Sequence, residues 1–385
     1  MNWSQRVSLP PRFVDWSIFL LLAIELASGL ISLTTGRPGG RAVFVLHSVV
    51  GLALCVLVFE KLRRVRKRVS RPGAWDQATP VSVLLAVVTL GALGSGIVWV
   101  LGGSLALGPW GLLNLHIGLG LLLVLVVAIH LYHRWRPPQR SDFEGRRTVL
   151  SYLLLVGVGA LTWRLQSVFN EWVNTPGAER RFTGSREEGT DAGNEFPVTS
   201  WVADDPDPIA IEEWELTVAG EVKRDLALDY EAIAAEGIVT EEVGSGRNEG
   251  AGSSDDGRLR ATLDCTSGWY SVQDWRGVRV GDLLEAAGTA ESARWVSFRS
   301  VTGYRWSLPI EEAREALLAT GVGGERLTHG HGFPLRLVAP GRRGFQWVKW
   351  VTEVEVRERK DPGQWLAVFV SGFDSEGDGK NSENG

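Results

Sequence analysis

LDCTSGWYSVQDWRGVRVGDLL (263–284) and HGHGFPLRLVAPGRRGFQWVKWVTEVEV (329–356) decide how the C-terminal half of this chain folds. Both set strand-like alternation beside Gly-bearing turns. Around them, WELTVAG (214–220), LRATLDC (259–265), RWVSFRS (294–300) and PLRLVAP (334–340) read as strands, while GDLLEAAG (281–288) and PIEEAREALLAT (309–320) read as helices. This order is that of an α+β domain and not of a repeated βαβ unit. Cys265 closes one strand and enters a turn of Gly, Trp and Ser. That is a poor place for a small core residue and a good one for a thiolate ligand. The second stretch gathers His, Arg, Lys and two Gly turns, donors that suit a phosphate-bearing organic cofactor.

The N-terminal half is a different kind of protein. Of the 385 residues, those up to 169 carry 17 Lys+Arg and 6 Asp+Glu, and the rest carry 23 and 39. An acidic C-terminal half would repel phosphate backbones, which excludes nucleic acid as a partner. The two Cys, Cys55 and Cys265, fall in different halves, which excludes a disulfide scaffold or a cysteine-rich metal module. Apolar runs at 14–33, 42–59, 80–101, 112–132 and 148–163 each approach the ~20 residues that cross a bilayer. Runs such as VSVLLAVVTLGALGSGIVWVL (81–101) lack the polar face of a core helix. The reading is multi-domain. It has a five-helix, all-α transmembrane bundle over 1–169, a linker over 170–200, the α+β domain over 201–357, and a C-terminal segment with a polar acidic tail over 358–385. The Gly/Ser run at 244–257 reads as a mobile loop.

The basic runs KLRRVRKRVSR (61–71) and HRWRPPQRSDFEGRR (133–147) place their loops in the cytoplasm, and the loop at 102–111 carries no charge. Only the 34–41 loop, with Arg37 and Arg41, runs against this pattern. Five spans then put the N-terminus inside and the acidic domain outside the cell membrane. His47 and His116 enter their spans from the same side and sit at similar depth. Two imidazoles at one level can hold a haem iron from both faces; the alternative is a polar side chain satisfied by a neighbouring helix. His130 lies 14 residues beyond His116, hence ~21 Å deeper on nearly the same face, but no second histidine faces it. In its histidine-bearing helices the bundle resembles small membrane-bound b-type cytochromes, which implies one haem b and electron exchange with a quinone pool. GRRTVLSYLLLVGVGAL (145–161) resembles an internal twin-arginine export signal at Arg146 and Arg147, and also fits simple positive-inside flanking.

CTSGW (265–269), the following W-x-G-V-x-V-x-D-L-L and HGFPLRLVAPGRRGFQWVKWV (331–351) together resemble the molybdopterin-binding domain of the sulfite oxidase family, over most of 195–357. The resemblance implies Mo-molybdopterin as cofactor, with Cys265 giving its thiolate to molybdenum. It further implies His331, Arg336 and the Trp347, Val348, Lys349 segment as pterin and phosphate contacts, with Lys349 cationic and residue 347 acting through its backbone. Sulfite oxidases place Arg soon after this cysteine, whereas here Thr266, Ser267, Gly268 and Trp269 follow. A neutral lining from Trp269, Tyr270 and Tyr304 suits an uncharged S-oxide or N-oxide, as in bacterial periplasmic members that reduce methionine sulfoxide. The resemblance also implies insertion of the cofactor before export, which favours the twin-arginine machinery as a partner. Taken whole, the sequence predicts a membrane-anchored molybdenum oxidoreductase linked to quinol through haem b, with Cys265, Trp269 and Tyr304 at the catalytic centre. A sulfite dehydrogenase and a non-catalytic cofactor-binding ectodomain are the alternatives. A topology reporter fused after residue 170 is expected to be active only outside the cell, and one fused near residue 68 only inside; cytoplasmic signal from both would reverse the orientation.

Overall fold

The computed structural model describes residues 10–107, 110–139, 146–199, 204–234 and 257–371. Trp201, nearly all of the Gly/Ser run and the tail beyond 371 lie outside them. The chain divides into two compact units, Met1–Arg186 and Glu187–Gly385.

The first unit consists of α1 (Pro11–Thr34), α2 (Arg41–Val69), α3 (Thr79–Val100), α4 (Leu112–Arg134) and α5 (Arg146–Val173), with a short strand pair, β1 (Ala106–Leu107) and β2 (Trp110–Gly111), before α4. All five helices are long and apolar enough to cross a membrane, their most apolar 18-residue stretches having mean hydropathies of 2.0, 2.7, 2.3, 2.6 and 1.5. Pro11 and Pro80 stand in the first turns of α1 and α3, where a missing N–H costs nothing. Two helices outrun the apolar runs that foretold them. α2 continues through the basic run to Val69, because Lys and Arg are good helix formers and Arg66, Lys67 and Arg68 oppose the negative end of the helix dipole. α5 reaches Val173, inside the stretch read as linker. Large apolar side chains point outward, among them Phe59, Leu125 and Leu154, while Leu54, Leu57, Val88 and Leu123 fill the interior. Apolar side chains thus occupy both the interior and the outer surface of these helices.

After β3 (Arg186–Glu187), the second unit is built on two sheets. Its strands are β4 (Glu215–Gly220), β5 (Leu226–Asp229), β6 (Arg258–Asp264), β7 (Trp269–Arg279), β8 (Trp295–Ser300), β9 (Arg305–Pro309), β10 (Leu317–Val322), β11 (Glu325–Arg326), β12 (Arg336–Val338) and β13 (Val351–Arg357). Helices α6 (Tyr230–Ala234), α7 (Val280–Ala287), α8 (Ile310–Glu315) and α9 (Gln364–Val370) accompany them. One sheet has the order β5-β4-β13-β8-β9, with β13 parallel to β4 and antiparallel to β8. In the other, β7 lies between β6 and β10, and β10 also pairs with β12. Trp275, Phe298, Leu216, Leu284, Leu308 and Leu317 are fully buried in one continuous core.

The stretch 170–200, whose polar composition reads as a linker or wrapping segment, belongs to this unit from Glu187 to its last described residue, 199. Its backbone runs along β7, with Glu188 N–H donating to Tyr270 O (2.9 Å) and Asp191 N–H to Val272 O (3.0 Å). Asn194 then fastens it to Thr328 and Arg326, and Phe196 is buried against Trp275.

Gly277 marks the tightest crossing in the second sheet, because a Cβ there would sit 2.0 Å from Leu318 O on β10. Gly277→Ala should therefore force β7 and β10 apart and lower stability by about 2 kcal/mol, as overpacking does. Thermal unfolding of the variant checks this; an unchanged midpoint would mean that the sheet accommodates the methyl group.

Candidate functional site

The hairpin β6–β7 pairs Asp264 with Tyr270, so Cys265 to Trp269 form its turn. Cys265 N–H donates to Trp269 O (2.8 Å), and Gly268 N–H to Cys265 O (3.1 Å). Gly268 takes φ 99°, a conformation open to glycine and strained for other residues. The turn holds Cys265 nearly buried, with Sγ 3.0 Å from Ser267 Oγ, at the wall of a cavity. Three further segments close that cavity. One is Phe196–Thr199 with Asp204, the second is His331 to Arg336, and the third is Gly344 to Lys349. Of the residues singled out in the sequence, Cys265, Trp269, Tyr304, His331, Arg336, Trp347 and Lys349 are brought together in its lining.

The cations are deeply placed. Arg336 is 3% exposed and donates from Nη1 to His331 O (2.9 Å), while its Nε is buried without a partner. Burial pulls the guanidinium down to about 10, a shift that its electrostatic interaction with Cys265 opposes. Lys349 donates to Gly330 O at 2.7 Å. Burial and the charge of Arg336 bring its ammonium down to about 7, against the pull of Asp204 and Cys265. Gly332, at φ 105°, lets the two cation-bearing segments approach, since a Cβ would meet Lys349 Cβ at 3.1 Å and Arg336 Cβ at 3.2 Å. An anionic group of an organic cofactor fits this arrangement. A buried guanidinium with an orphan N–H asks for an acceptor, and a lone cavity-lining thiol offers one sulfur ligand.

Several expected roles are altered by the geometry. His331 lines the cavity, but both ring nitrogens are engaged. Nε2 must carry the proton, since it faces the carbonyl of Phe196 at 2.9 Å, and Nδ1 accepts from Thr328 Oγ1 at 2.7 Å. Burial lowers its pKa to about 4, so it is a neutral wall, packed at a tilt of 57° against Phe196 with ring centroids 4.1 Å apart. Trp347 N–H is spent on Gly344 O (3.0 Å). Val348 is buried in the core and does not line the cavity, and its carbonyl accepts from Leu337 N–H. Tyr270 stands on the other face of β7 from Trp269 and is likewise absent from the lining, because side chains alternate along a strand. Tyr304 faces the cavity with its hydroxyl donated to Phe345 O at 2.5 Å; burial first, then Asp204, holds that hydroxyl protonated. Trp269 Nε1–H donates to Thr199 Oγ1.

Sequence reasoning missed Phe196, Thr199 and Asp204, and also the buried ion pair of Arg343 with Asp264 (2.8 Å) behind Cys265. Asp204 accepts a short hydrogen bond from Thr302 Oγ1, and burial raises its pKa.

In the first unit, the His47 and His116 rings face each other with centroids 6.0 Å apart and planes at 86°. His116 Nδ1 lies 2.9 Å from Ala92 O and therefore carries the proton. His47 Nδ1 lies 3.1 Å from Glu25 Oε2 and 3.0 Å from Ser28 Oγ. His130 Nδ1 meets Ser82 Oγ at 3.3 Å. The sequence reading passed over Glu25.

Residues 203–365 match the family model described as the oxidoreductase molybdopterin binding domain. Over 106 residues the chain is 36% identical to an uncharacterized oxidoreductase, YuiH, of Bacillus subtilis, covering 27% of this chain and 54% of that one. Over 174 residues it is 28% identical to the protein-methionine-sulfoxide reductase catalytic subunit MsrP of Xanthomonas axonopodis pv. citri, covering 41% and 49%. Over 123 residues it is 33% identical to human mitochondrial sulfite oxidase, covering 29% and 23%. The chain spans about half the length, or less, of these curated relatives. Residues 203–365 of the second unit thus match a molybdopterin-binding oxidoreductase domain and are similar to parts of the methionine-sulfoxide reductase catalytic subunit and of sulfite oxidase.

Lys349 gives a pH test on cofactor-free protein. An unfolded Lys keeps its proton to about pH 10.4, whereas folded Lys349 releases it near pH 7, so between those values the unfolded state binds more protons. Stability should therefore climb as pH rises through that window. Lys349→Met should flatten the climb in denaturant titrations; parallel curves for the two proteins would place the ammonium in solvent.

Proposed function

We propose that the chain is a membrane-anchored, quinol-linked reductase of S-oxides or N-oxides, with its molybdopterin domain outside the cell membrane and a haem b between His47 and His116. The observation that carries the reading is the cavity itself, where one thiol, two deep cations and the carboxyl of Asp204 share a lining with the aromatic rings of Phe196, Trp269, Tyr304, Phe345 and Trp347. Bound molybdenum would supply two-electron oxo transfer at Cys265, with the pterin held separately. Arg336 and Lys349 would take the anionic end of the pterin, using the orphan Nε–H and the ammonium. Next to Cys265 stand Thr266, Trp269 and Tyr304, so an approaching oxide meets apolar ring faces and no guanidinium beyond Arg336. Tyr304 shapes this wall and holds its own proton on Phe345 O. Asp204, a buried lining residue whose burial raises its pKa, would carry a proton within the cavity.

Haem b is supported by the histidine pair. His47 and His116, with ring centroids 6.0 Å apart, would hold the iron between them, and the haem would supply one-electron transfer. Hydrogen bonds at each Nδ1 direct the Nε2 lone pairs away from those partners, as in other metal-bound imidazoles. His130, with Ser82 as its only hydrogen-bonding partner among those described, is left out of the ligand set. Folding around a cofactor before crossing would call for the twin-arginine machinery, read from Arg146 and Arg147 at the start of α5.

Purified protein from molybdate-replete cells is expected to contain molybdenum and to show a b-type spectrum that His47→Ala and His116→Ala each abolish and His130→Ala leaves largely intact. Reduced quinol analogues should drive reduction of S-oxides or N-oxides, and Cys265→Ser should keep the pterin yet lose turnover by at least ~100-fold. Turnover of sulfite with a dye acceptor, and none of the oxides, would replace this reading with sulfite dehydrogenation. Full cofactor content without turnover of either would leave a binding ectodomain.

A further inference from the structure

We propose that the buried ion pair of Arg343 and Asp264 positions the Cys265 thiolate. This deepens, and rests on, the reading of Cys265 as the protein's ligand to molybdenum. Arg343 and Asp264 are 3% and 2% exposed. One guanidinium nitrogen, Nη1, donates to Asp264 Oδ1 at 2.8 Å, and the other, Nη2, donates to the carbonyl of Cys265 itself at 3.1 Å. The fork therefore grips two successive residues at the end of β6, and a parallel backbone bridge joins Asp264 to Arg343 as well.

The loop that carries Arg343 is tied to itself. Arg343 N–H donates to Gln346 Oε1 (2.9 Å), and Gln346 N–H returns to Arg343 O (2.8 Å). Its next residue, Gly344, lies so close that a Cβ would stand 3.1 Å from Cys265 Cα. The residue after that, Phe345, holds Tyr304 through its carbonyl. A single stiff loop thus fixes the thiol from behind and the tyrosine from the side.

Packing alone does not explain the pair. Apolar side chains of similar volume fill such a space as well as or better than buried charges do. What they cannot supply is the second, directional donor to Cys265 O. Without it, the sulfur hangs from a hairpin turn held by the Trp269 and Gly268 backbone bonds. Lysine has a single nitrogen and cannot serve both acceptors in the same planar geometry.

The test compares the full-length wild type with Arg343→Lys and with the apolar double variant Asp264→Leu/Arg343→Met, which removes both charges together and so leaves neither buried alone. In loaded protein, both variants should keep wild-type molybdenum content while the thiolate-to-molybdenum absorption and the Mo(V) paramagnetic resonance spectrum change, and turnover falls by ~10-fold or more. In protein made without molybdopterin, alkylation of Cys265 by iodoacetamide, followed by peptide mass analysis, should change in rate by ~5-fold or more as the loop loosens. If the folded double variant has wild-type spectra and a wild-type alkylation rate, the pair serves folding only and the proposal is wrong. The alkylation arm decides the matter even where a variant loads poorly. A wild type without molybdenum would overturn the ligand reading itself, an outcome distinct from unchanged variants of a loaded protein.

Discussion

A guanidinium in a protein interior is costly unless an anion or a full set of acceptors offsets its lost hydration. Arg336 stands 3% exposed with a carbonyl as acceptor at Nη1 and an unpartnered Nε. Much of the second unit follows from that constraint. β12 carries the arginine inward, Gly332 brings Lys349 up beside it, and Trp275 and Trp347 lie within about 6 Å of its charge. The cavity over these groups is what remains when an anion-binding surface is enclosed by aromatic walls.

Three turns from distant parts of the chain meet there, and each is short because a glycine permits it. Gly268 closes the turn that bears Cys265, Gly332 allows two cation-bearing segments to touch, and Gly344 lets a loop lie against the cysteine backbone. Side chains on rigid strand ends are then placed with little freedom. This is the arrangement that precise positioning of a reacting group requires.

The parts that were legible in the sequence are those whose residue type announces a chemistry. Cys265, Arg336 and Lys349 are a thiol and two cations set in strand-and-turn patterns, and the cavity contains all three. Long apolar runs likewise located five helices. Patterning could not choose between neighbours. In GRRG nothing distinguishes Arg342, which pairs with Glu312 and is partly exposed, from Arg343, which is buried behind the cysteine. Phe196 was overlooked because a lone aromatic in a polar run carries no period; its burial depends on β7, which lies some 70 residues later in the chain. Glu25 lay hidden in an apolar run for the same reason, since its partner His47 is on another helix. Helix ends went astray where basic residues continued α2 beyond its apolar stretch.

The spread of these pieces along the chain sets an order in time. During synthesis the wall at Phe196–Thr199 emerges first, the cysteine some 70 residues later, and Lys349 some 80 residues after that. β13, which lies between β4 and β8, comes later still. None of the earlier pieces can form the cavity alone, because the first sheet lacks its middle strand until β13 has left the ribosome. Chains that stop short of Lys349 and β13 therefore carry no complete pocket, and a cofactor can be enclosed only after both have been made.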